Sequence, residues 1–241
     1  MRYVKHGIIA ALVMAIAACG PSRVGGVMPP EAAPNPPTGD EEALEQGRQV
    51  AGQPSGGLMG ESSLANELSG IAPAGSEISP GYGMYVVIRD ESYAIQIQVP
   101  REWADTEDRP VASARGRALA SVRAATDLQS FEQDWTTPGV IVDGTSQLIP
   151  SDSEVTLLDE VVQPLSAACV YQGRRPYPSR SYTVALDLYT SCGGTGAAYV
   201  VIGAAPPNRS WVMRVRLKVV SGRDLEALDR IVQSVRVTGG V

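Results

Sequence analysis

Histidine is almost absent from this 241-residue sequence, in which His6 is the only one. No Gly-x-Ser-x-Gly, Walker or dinucleotide-binding motif is present either, so the sequence signatures of several enzyme classes are missing. No segment has the run of about 20 apolar residues that a membrane-spanning helix needs. Each absence removes a class of function, and the strongest motif that remains lies at the N-terminus.

Residues 1–18 have the pattern of an export signal. Arg2 and Lys5 make a basic start, and an apolar run of about 11 residues follows them. The run ends in Ile16-Ala17-Ala18-Cys19, a lipobox that resembles those of bacterial lipoproteins. Cleavage before this cysteine would leave a diacylated Cys19 as the first residue. The alternative is an ordinary secretory signal with a chance cysteine near its end.

Lipidation of Cys19 predicts a location for the protein. Two or three acyl chains anchor a protein stably to a membrane. We therefore expect an exported chain, held by lipid on the bacterial membrane with its domain outside the cytoplasm. Gly20 rather than aspartate follows the cysteine, which favours the outer membrane in a cell that has two membranes.

The same cleavage removes His6, so the mature chain would contain no imidazole. Ser-His-Asp triads, Cys-His pairs and histidine zinc sites would each lack a required residue. Carboxylate pairs remain, at Asp159-Glu160 and at Glu132 with Asp134, but both pairs fit solvated helix faces. We therefore predict neither catalysis nor a cofactor.

Aromatic residues are absent from 20–80, a stretch rich in proline, glycine and acidic side chains. Such a segment cannot bury enough apolar surface to offset chain entropy, so we expect 19–81 to be a lipidated cysteine followed by a disordered tether. Residues 82–241 hold all three tryptophans and predict one globular domain. That domain carries 18 acidic and 16 basic residues, a balance that speaks against nucleic-acid binding.

Periodicity predicts a mixed α+β domain. Strands are expected at 84–89, 93–99, 119–125, 139–149, 167–173, 182–190, 197–204 and 211–220. Helices are expected at 128–135, at 151–162 with Ser151 as the cap, and at 224–235. The apolar run 198–202 is typical of a strand covered on both faces.

The two cysteines of the domain, Cys169 and Cys192, are expected to form a disulfide, because export exposes them to an oxidising compartment. A hairpin turning near Arg180 would bring them together. The alternative is two buried free thiols.

Two features could serve as a binding surface. Arg214, Arg216 and Lys218 alternate along a predicted strand, so their side chains share one face. The face is either a site for an anionic ligand or partner, or an ordinary solvated face. The second feature is the loop around Arg174, Arg175 and Tyr177 between the cysteines, which either recognises a partner or simply connects a hairpin.

Several short motifs resemble the Mog1/PsbP-like superfamily, which includes bacterial lipoproteins. They are Val99-Pro100-Arg101-Glu102-Trp103, Ala124-Ala125-Thr126-Asp127-Leu128, Pro138-Gly139-Val140 and Ile231-Val232-Gln233-Ser234-Val235. Residues 169–174 and 191–194 are also similar to a domain appended to some bacterial trypsin-like serine proteases. The resemblance covers roughly 85–238 and implies an α/β/α sandwich, with a mostly antiparallel sheet flanked by helices. It also implies that the domain binds or supports other proteins without catalysis.

The sequence thus favours a lipid-anchored binding or assembly module for another envelope protein or ligand. A carboxylate-dependent hydrolase of envelope polymers and a purely structural envelope component are the alternatives. Two carboxylates in a deep cleft, with raised pKa values, would favour the hydrolase.

Overall fold

The computed structural model of the protein describes residue 58, residues 63–71 and residues 81–238. The predicted export signal, Cys19 and most of the predicted tether lie outside the described residues. In the described ranges, no helix is long and apolar enough to cross a membrane.

Two antiparallel sheets and four helices make up the described part of the chain. The helices are α1 Leu64–Leu68, α2 Leu128–Gln133, α3 Thr156–Ser166 and α4 Gly222–Ser234. The strands are β1 Tyr85–Arg89, β2 Ile95–Pro100, β3 Asp105–Glu107, β4 Val111–Ala112, β5 Ala118–Ala125, β6 Gly139–Thr145, β7 Val170–Tyr177, β8 Thr183–Thr190, β9 Ala198–Ala205, β10 Val212–Val219 and β11 Arg236–Val237. The large sheet has the order β3-β5-β6-β10-β9-β8-β7, with β4 beside β5, and the small sheet has the order β1-β2-β11. This confirms the expected α+β class with mostly antiparallel pairing.

The main hydrophobic core lies between one face of the large sheet and a layer formed by the small sheet and α4. Strand β10 contributes Met213, Val215 and Leu217 to this core, as the sequence alternation predicts. Helix α4 adds its predicted apolar stripe, which comprises Leu225, Leu228, Ile231 and Val232. Each such buried side chain stabilises the fold by about 1.5–3 kcal/mol relative to an exposed one.

Helices α2 and α3 lie on the opposite face of the large sheet. Leu157 and Leu158 at the start of α3 are fully buried. Gly203 on β9 allows this close approach, because a Cβ atom at position 203 would lie 1.8 Å from the carbonyl oxygen of Glu154. The large sheet is therefore covered on both faces, as the apolar run in β9 predicts.

Helix α3 begins at Thr156 and not at Ser151, which corrects the predicted start. The residues before it form turns in which the buried carboxylate of Asp152 accepts the N–H of Ile149 at 3.0 Å. The same carboxylate also binds the Arg117 guanidinium. The local bond and the contact with Arg117, 35 residues away and just before β5, hold the chain in a turn where a local capping pattern predicts a helix.

The predicted boundary between tether and domain is also corrected. Leu58, Leu64 and Leu68 lie before residue 82, yet all three are buried in the main core. Helix α1 is fixed to α4 because Asp229 accepts hydrogen bonds from Ser63 and from the N–H of Ala65. Part of the segment expected to be disordered thus belongs to the folded domain.

Candidate functional site

The three basic residues of β10 share one face, as predicted, but this face is not open to solvent. Arg214 is 4% exposed and Lys218 is 2% exposed, because α2 and α3 cover them. Arg216 is partly buried, with 19% of its side chain exposed. The expected solvent-accessible basic surface is therefore wrong, and these residues belong to a polar layer between the sheet and its helices.

Asp143 on β6 is the counter-ion of two of them. It lies directly opposite Arg214 in the strand register. One carboxylate oxygen is 2.9 Å from Nη2 of Arg214, and the other accepts a hydrogen bond of 2.6 Å from Nη2 of Arg216. Burial acts to raise the pKa of Asp143, but the two guanidinium groups outweigh it and hold the pKa below its usual range. Asp143 is thus held as a carboxylate.

Arg214 also ties α3 to the sheet. It donates a hydrogen bond of 2.6 Å to the carbonyl of Leu157 and lies 3.8 Å from the carboxylate of Glu160. Buried charges must be paired or hydrogen-bonded, and this cluster meets that requirement across two strands and a helix. Its contacts are those of a structural ion cluster.

Asp143 and Asp134 do not have the raised pKa that the general acid of a hydrolase needs. A general acid at neutral pH requires a raised pKa, whereas the pKa of Asp143 is lowered. The pKa of Asp134 is also lowered, by hydrogen bonds from the Thr136 and Thr137 backbone N–H groups and hydroxyls. No group of three His, Cys, Asp or Glu side chains suited to a metal ion occurs in the described ranges.

A pocket of about 290 Å³ opens beside the ion cluster, between α2 and the sheet. Arg123 on β5 and Arg216 and Lys218 on β10 contribute to its floor. Phe131 and Trp135 contribute to its wall. The pocket therefore brings three cationic side chains together with aromatic rings.

Lys218 is held at this pocket by backbone carbonyl groups. Its ammonium donates to the carbonyls of Phe131, at 2.5 Å, and of Asp134. It lies 4.6 Å from the ring centre of Phe131 and 5.1 Å from that of Trp135. Burial lowers the pKa of Lys218 to about 8, against the opposing effect of Asp134. The amine is therefore partly neutral at mildly alkaline pH.

The predicted disulfide between Cys169 and Cys192 is present. It joins the end of α3 to the connection between β8 and β9, and the hairpin of β7 and β8 turns near Arg180 as expected. The following residue, Gly193, has a φ of 60° and packs against Trp135, so close that a Cβ atom would lie 2.0 Å from the indole ring. The disulfide turn thus supports one wall of the pocket.

The second predicted surface does not form an exposed recognition loop. Strand β7 extends to Tyr177, which is 4% exposed and belongs to the main core. Arg174 is bound by Asp187 at 2.8 Å and by Asp159 at 2.7 Å. Arg175 is exposed and forms no ion pair within the described residues. Tyr177 is therefore not an exposed binding residue, whereas a binding role for the exposed Arg174 and Arg175 stays a prediction.

An exposed apolar edge was not anticipated. Met84, Val86, Val87 and Tyr93, in and around β1, are 53%, 40%, 48% and 68% exposed. A signal for it exists in the sequence, because residues 84–88 contain no charged side chain and do not alternate with polar residues as a half-buried strand does. Alternation alone could not show which side of this strand lacks a neighbour.

Strand β1 is the outer strand of the small sheet. The N–H of Arg101 on the neighbouring chain segment donates to the carbonyl of Met84 at 2.9 Å. In an antiparallel pair, every second residue of a strand forms hydrogen bonds to the neighbouring strand. Counted from Met84, the residues of β1 that bond to β2 are Val86 and Ile88, and Val87 lies between them. Its N–H and C=O therefore point away from the small sheet, as do those of Tyr85 and Arg89.

Two grooves lie at the ends of β1. One, of about 400 Å³, is lined by Gly83, Met84, Arg101 and Glu102. The other, of about 480 Å³, is lined by Val87, Arg89, Asp90, Glu91, Tyr93 and Asp108. The edge thus offers apolar side chains at its centre, backbone groups that have no partner among the described residues, and charged groups at both ends.

Comparisons of the sequence with models of protein families and with curated proteins find no match.

Proposed function

We propose that this protein is a lipid-anchored, non-catalytic assembly module of the bacterial envelope. In this proposal its domain is an α/β/α sandwich of the Mog1/PsbP-like type. Cys19 carries the lipid, and β1 receives an extended segment of another envelope protein. The observation that carries the proposal is the exposed apolar edge of the small sheet.

An open strand edge selects its partner by backbone geometry. Unpaired N–H and C=O groups along β1 match those of another extended chain, and strand addition obtains its affinity from these main-chain hydrogen bonds. The side chains of Met84, Val86 and Val87 add apolar surface, and the grooves at the two ends can receive side chains of the added strand. An extended protein segment is therefore the occupant that fits best.

The other sheet edges in the described residues are protected. Strand β3 has three residues, Asp105–Glu107, two of them acidic, and β11 has only two. Strand β7 carries a bulge between Tyr171 and Gly173, followed by two arginines and Pro176. Short length, charge, bulges and proline all prevent unwanted strand pairing. Strand β1 has none of these features before Arg89, which distinguishes it as the edge suited to a partner.

Cross-linking in intact cells tests the partner site. A photo-reactive amino acid at position 87 is expected to capture a specific protein, and one at Ile149, similarly exposed at 49%, is not. Val87→Lys should reduce capture from a probe at position 86 by roughly tenfold, which corresponds to about 1.4 kcal/mol of binding free energy. Ile149→Lys is the matched control and should leave capture unchanged.

A second variant separates strand addition from side-chain contact. Val87→Pro removes one outward N–H without removing a bond to β2, and proline is tolerated on edge strands in this orientation. The Val87→Pro variant should abolish capture from the probe at position 86 while leaving the temperature of thermal unfolding nearly unchanged. Equal capture at positions 87 and 149, or full capture by the folded proline variant, would refute the proposed edge. Capture of a second copy of this chain would replace the proposed hetero-partner by self-association.

The lipid anchor has its own test. Cells fed with an alkyne-bearing palmitate should label the unchanged chain, and Cys19→Ser should abolish the label because the acylated thiol is gone. The double variant Cys19→Ser, Ser22→Cys restores a cysteine outside the motif and should remain unlabelled. Labelling of either variant would contradict anchoring through Cys19.

A further inference from the structure

The pocket between α2 and the large sheet has buried hydrogen-bond donors that lack a partner in the described residues. Arg216 bonds to Asp143 through Nη2, but its Nε is buried and has no hydrogen-bond partner in the described residues. Arg123 bonds to Glu132 at 2.8 Å through Nη1, and its Nε is likewise buried without a partner. A buried donor left unpaired is costly, so two beside one pocket call for an explanation.

Lys218 adds a third donor. An ammonium group has three N–H donors, and backbone carbonyls of α2 and the turn after it take two of them. No carboxylate lies within salt-bridge distance of Lys218 among the described residues. Its charge is stabilised by carbonyl dipoles and by two aromatic rings, so an anion could still approach it.

The strand register places these three side chains around one small space. Arg123 and Arg216 both pair with Ile141 from opposite sides, so they lie two strand spacings apart, about 10 Å. Lys218 is two residues from Arg216 on the same strand, about 7 Å along it. Extended cationic side chains can converge on one bound group across such distances.

The rest of the pocket lining is mixed, with polar Glu132, Gln133 and Asp134 beside apolar and aromatic side chains. Arg123 binds the carboxylate of Glu132, and Thr136 and Thr137 donate to the carboxylate of Asp134, so both acids already have partners.

Trp135 contacts Tyr199 edge-to-face, with ring centres 6.0 Å apart, and Leu165 of α3 completes this side. The volume of about 290 Å³ is at the lower end for pockets that bind organic ligands. The space suits a single ring or a body of similar size.

From this arrangement we infer that the pocket binds a small organic oxyanion, with a carboxylate or phosphate on a ring-sized apolar body. The oxyanion accepts from Arg123, Arg216 and Lys218, and the body packs against Trp135 and Tyr199. Guanidinium groups bind carboxylates and phosphates equally well in geometry, because both anions present two oxygens to the paired N–H donors of an arginine. This site is separate from the β1 edge and does not depend on it.

Calorimetric titration of the full-length protein in detergent tests the ligand class with four probes. Benzoate and phenyl phosphate carry both the anion and the ring, benzamide keeps the ring without the charge, and inorganic phosphate keeps the charge without the ring. We expect at least one of the first two to bind with a Kd of about 1 mM or below, and tenfold or more tighter than both controls.

Variants then locate the site. Lys218→Met and Arg216→Gln should each weaken binding by about tenfold, because each removes a charge-assisted hydrogen bond. Arg175→Gln, at an exposed arginine on β7, should change the affinity by less than about twofold. Val87→Lys should bind as the unchanged protein does, so the pocket and the β1 edge are tested independently.

A spectroscopic measurement avoids any dependence on how well the variants fold. Lys5 and Lys218 are the only lysines of the sequence, and the proposed cleavage before Cys19 removes Lys5, so isotope-labelled lysine leaves one side-chain signal in the processed protein. Bound benzoate or phenyl phosphate should raise the pKa of Lys218 by about one unit, because a nearby anion favours the ammonium form, and benzamide should not. Absence of binding by both ring anions, equal binding of benzamide, an unmoved Lys218 signal at saturation, or inorganic phosphate binding as tightly as phenyl phosphate would each overturn the inference.

Discussion

Replacement of Asp143 by asparagine is expected to lower the free energy of unfolding by about 3–5 kcal/mol. The side chain of Asp143 is fully buried between Arg214 and Arg216. Asparagine has nearly the same shape but no charge, so two largely buried guanidinium groups would lose their shared counter-ion. Removal of one member of a buried ion cluster leaves uncompensated charge, which is why the expected loss is large. The midpoint of urea unfolding at pH 7 measures it.

An exposed ion pair is the matched control. Glu107 lies 3.4 Å from Arg123 and 3.6 Å from Arg109, with 35% of its side chain exposed. Glu107→Gln should cost less than about 1 kcal/mol, since water screens such pairs. A similar small loss for Asp143→Asn would mean that the arginines do not depend on this carboxylate.

Acid provides a second check on Asp143. Its pKa is lowered in the folded state, so the unfolded chain takes up a proton more readily as the pH falls. The stability that Asp143 contributes is therefore complete above about pH 4, the ordinary range of aspartate, and is lost as the pH drops through the lowered value. The difference in the free energy of unfolding between Asp143→Asn and the unchanged protein should therefore become smaller in acid. A difference that grows below pH 4 would contradict this assignment.

Removal of the disulfide is expected to cost about 3–4 kcal/mol, because Cys169 and Cys192 are 23 residues apart and their link restricts the unfolded chain. Alanine is the appropriate replacement at both positions. Cys192 is fully buried in an apolar cluster with Leu158 and Tyr199, where a serine hydroxyl would lack a partner. Urea unfolding of the double variant under non-reducing conditions measures the loss.

Reduction of the unchanged protein is the control for the double alanine variant. Dithiothreitol should lower the unfolding midpoint of the unchanged chain towards that of the variant and should not move the variant itself. Equal midpoints for the oxidised protein and the variant would show that the link restricts nothing in the unfolded chain.

Local patterns in the sequence predicted most of the elements and the contents of the core. The stripe of α4 and the apolar face of β10 follow directly from periods of 3.6 and 2, which depend on backbone geometry alone. The disulfide was predictable because two cysteines flank a hairpin. In contrast, the predicted start of α3 at Ser151 lies five residues before the observed start, because Asp152 binds Arg117, a residue 35 positions away.

The candidate sites depended on contacts that no local pattern reports. Alternation correctly placed Arg214, Arg216 and Lys218 on one face, but it cannot say whether water or a helix covers that face. Burial of Arg214 and Arg216 depends on Asp143, which is 71 residues from Arg214 in the chain and lies opposite it in the sheet. In the same way, the sequence shows β1 to be apolar, whereas its exposure depends on the absence of a strand beyond it in the described sheet. The sequence by itself thus determined the α+β class and the core faces, because these follow from short-range spacing, and it correctly predicted the disulfide. The lipid anchor at Cys19 stays a prediction. Only the tertiary structure decided which polar face is buried, where the pocket opens and which edge is free, because each is set by residues far apart in the chain.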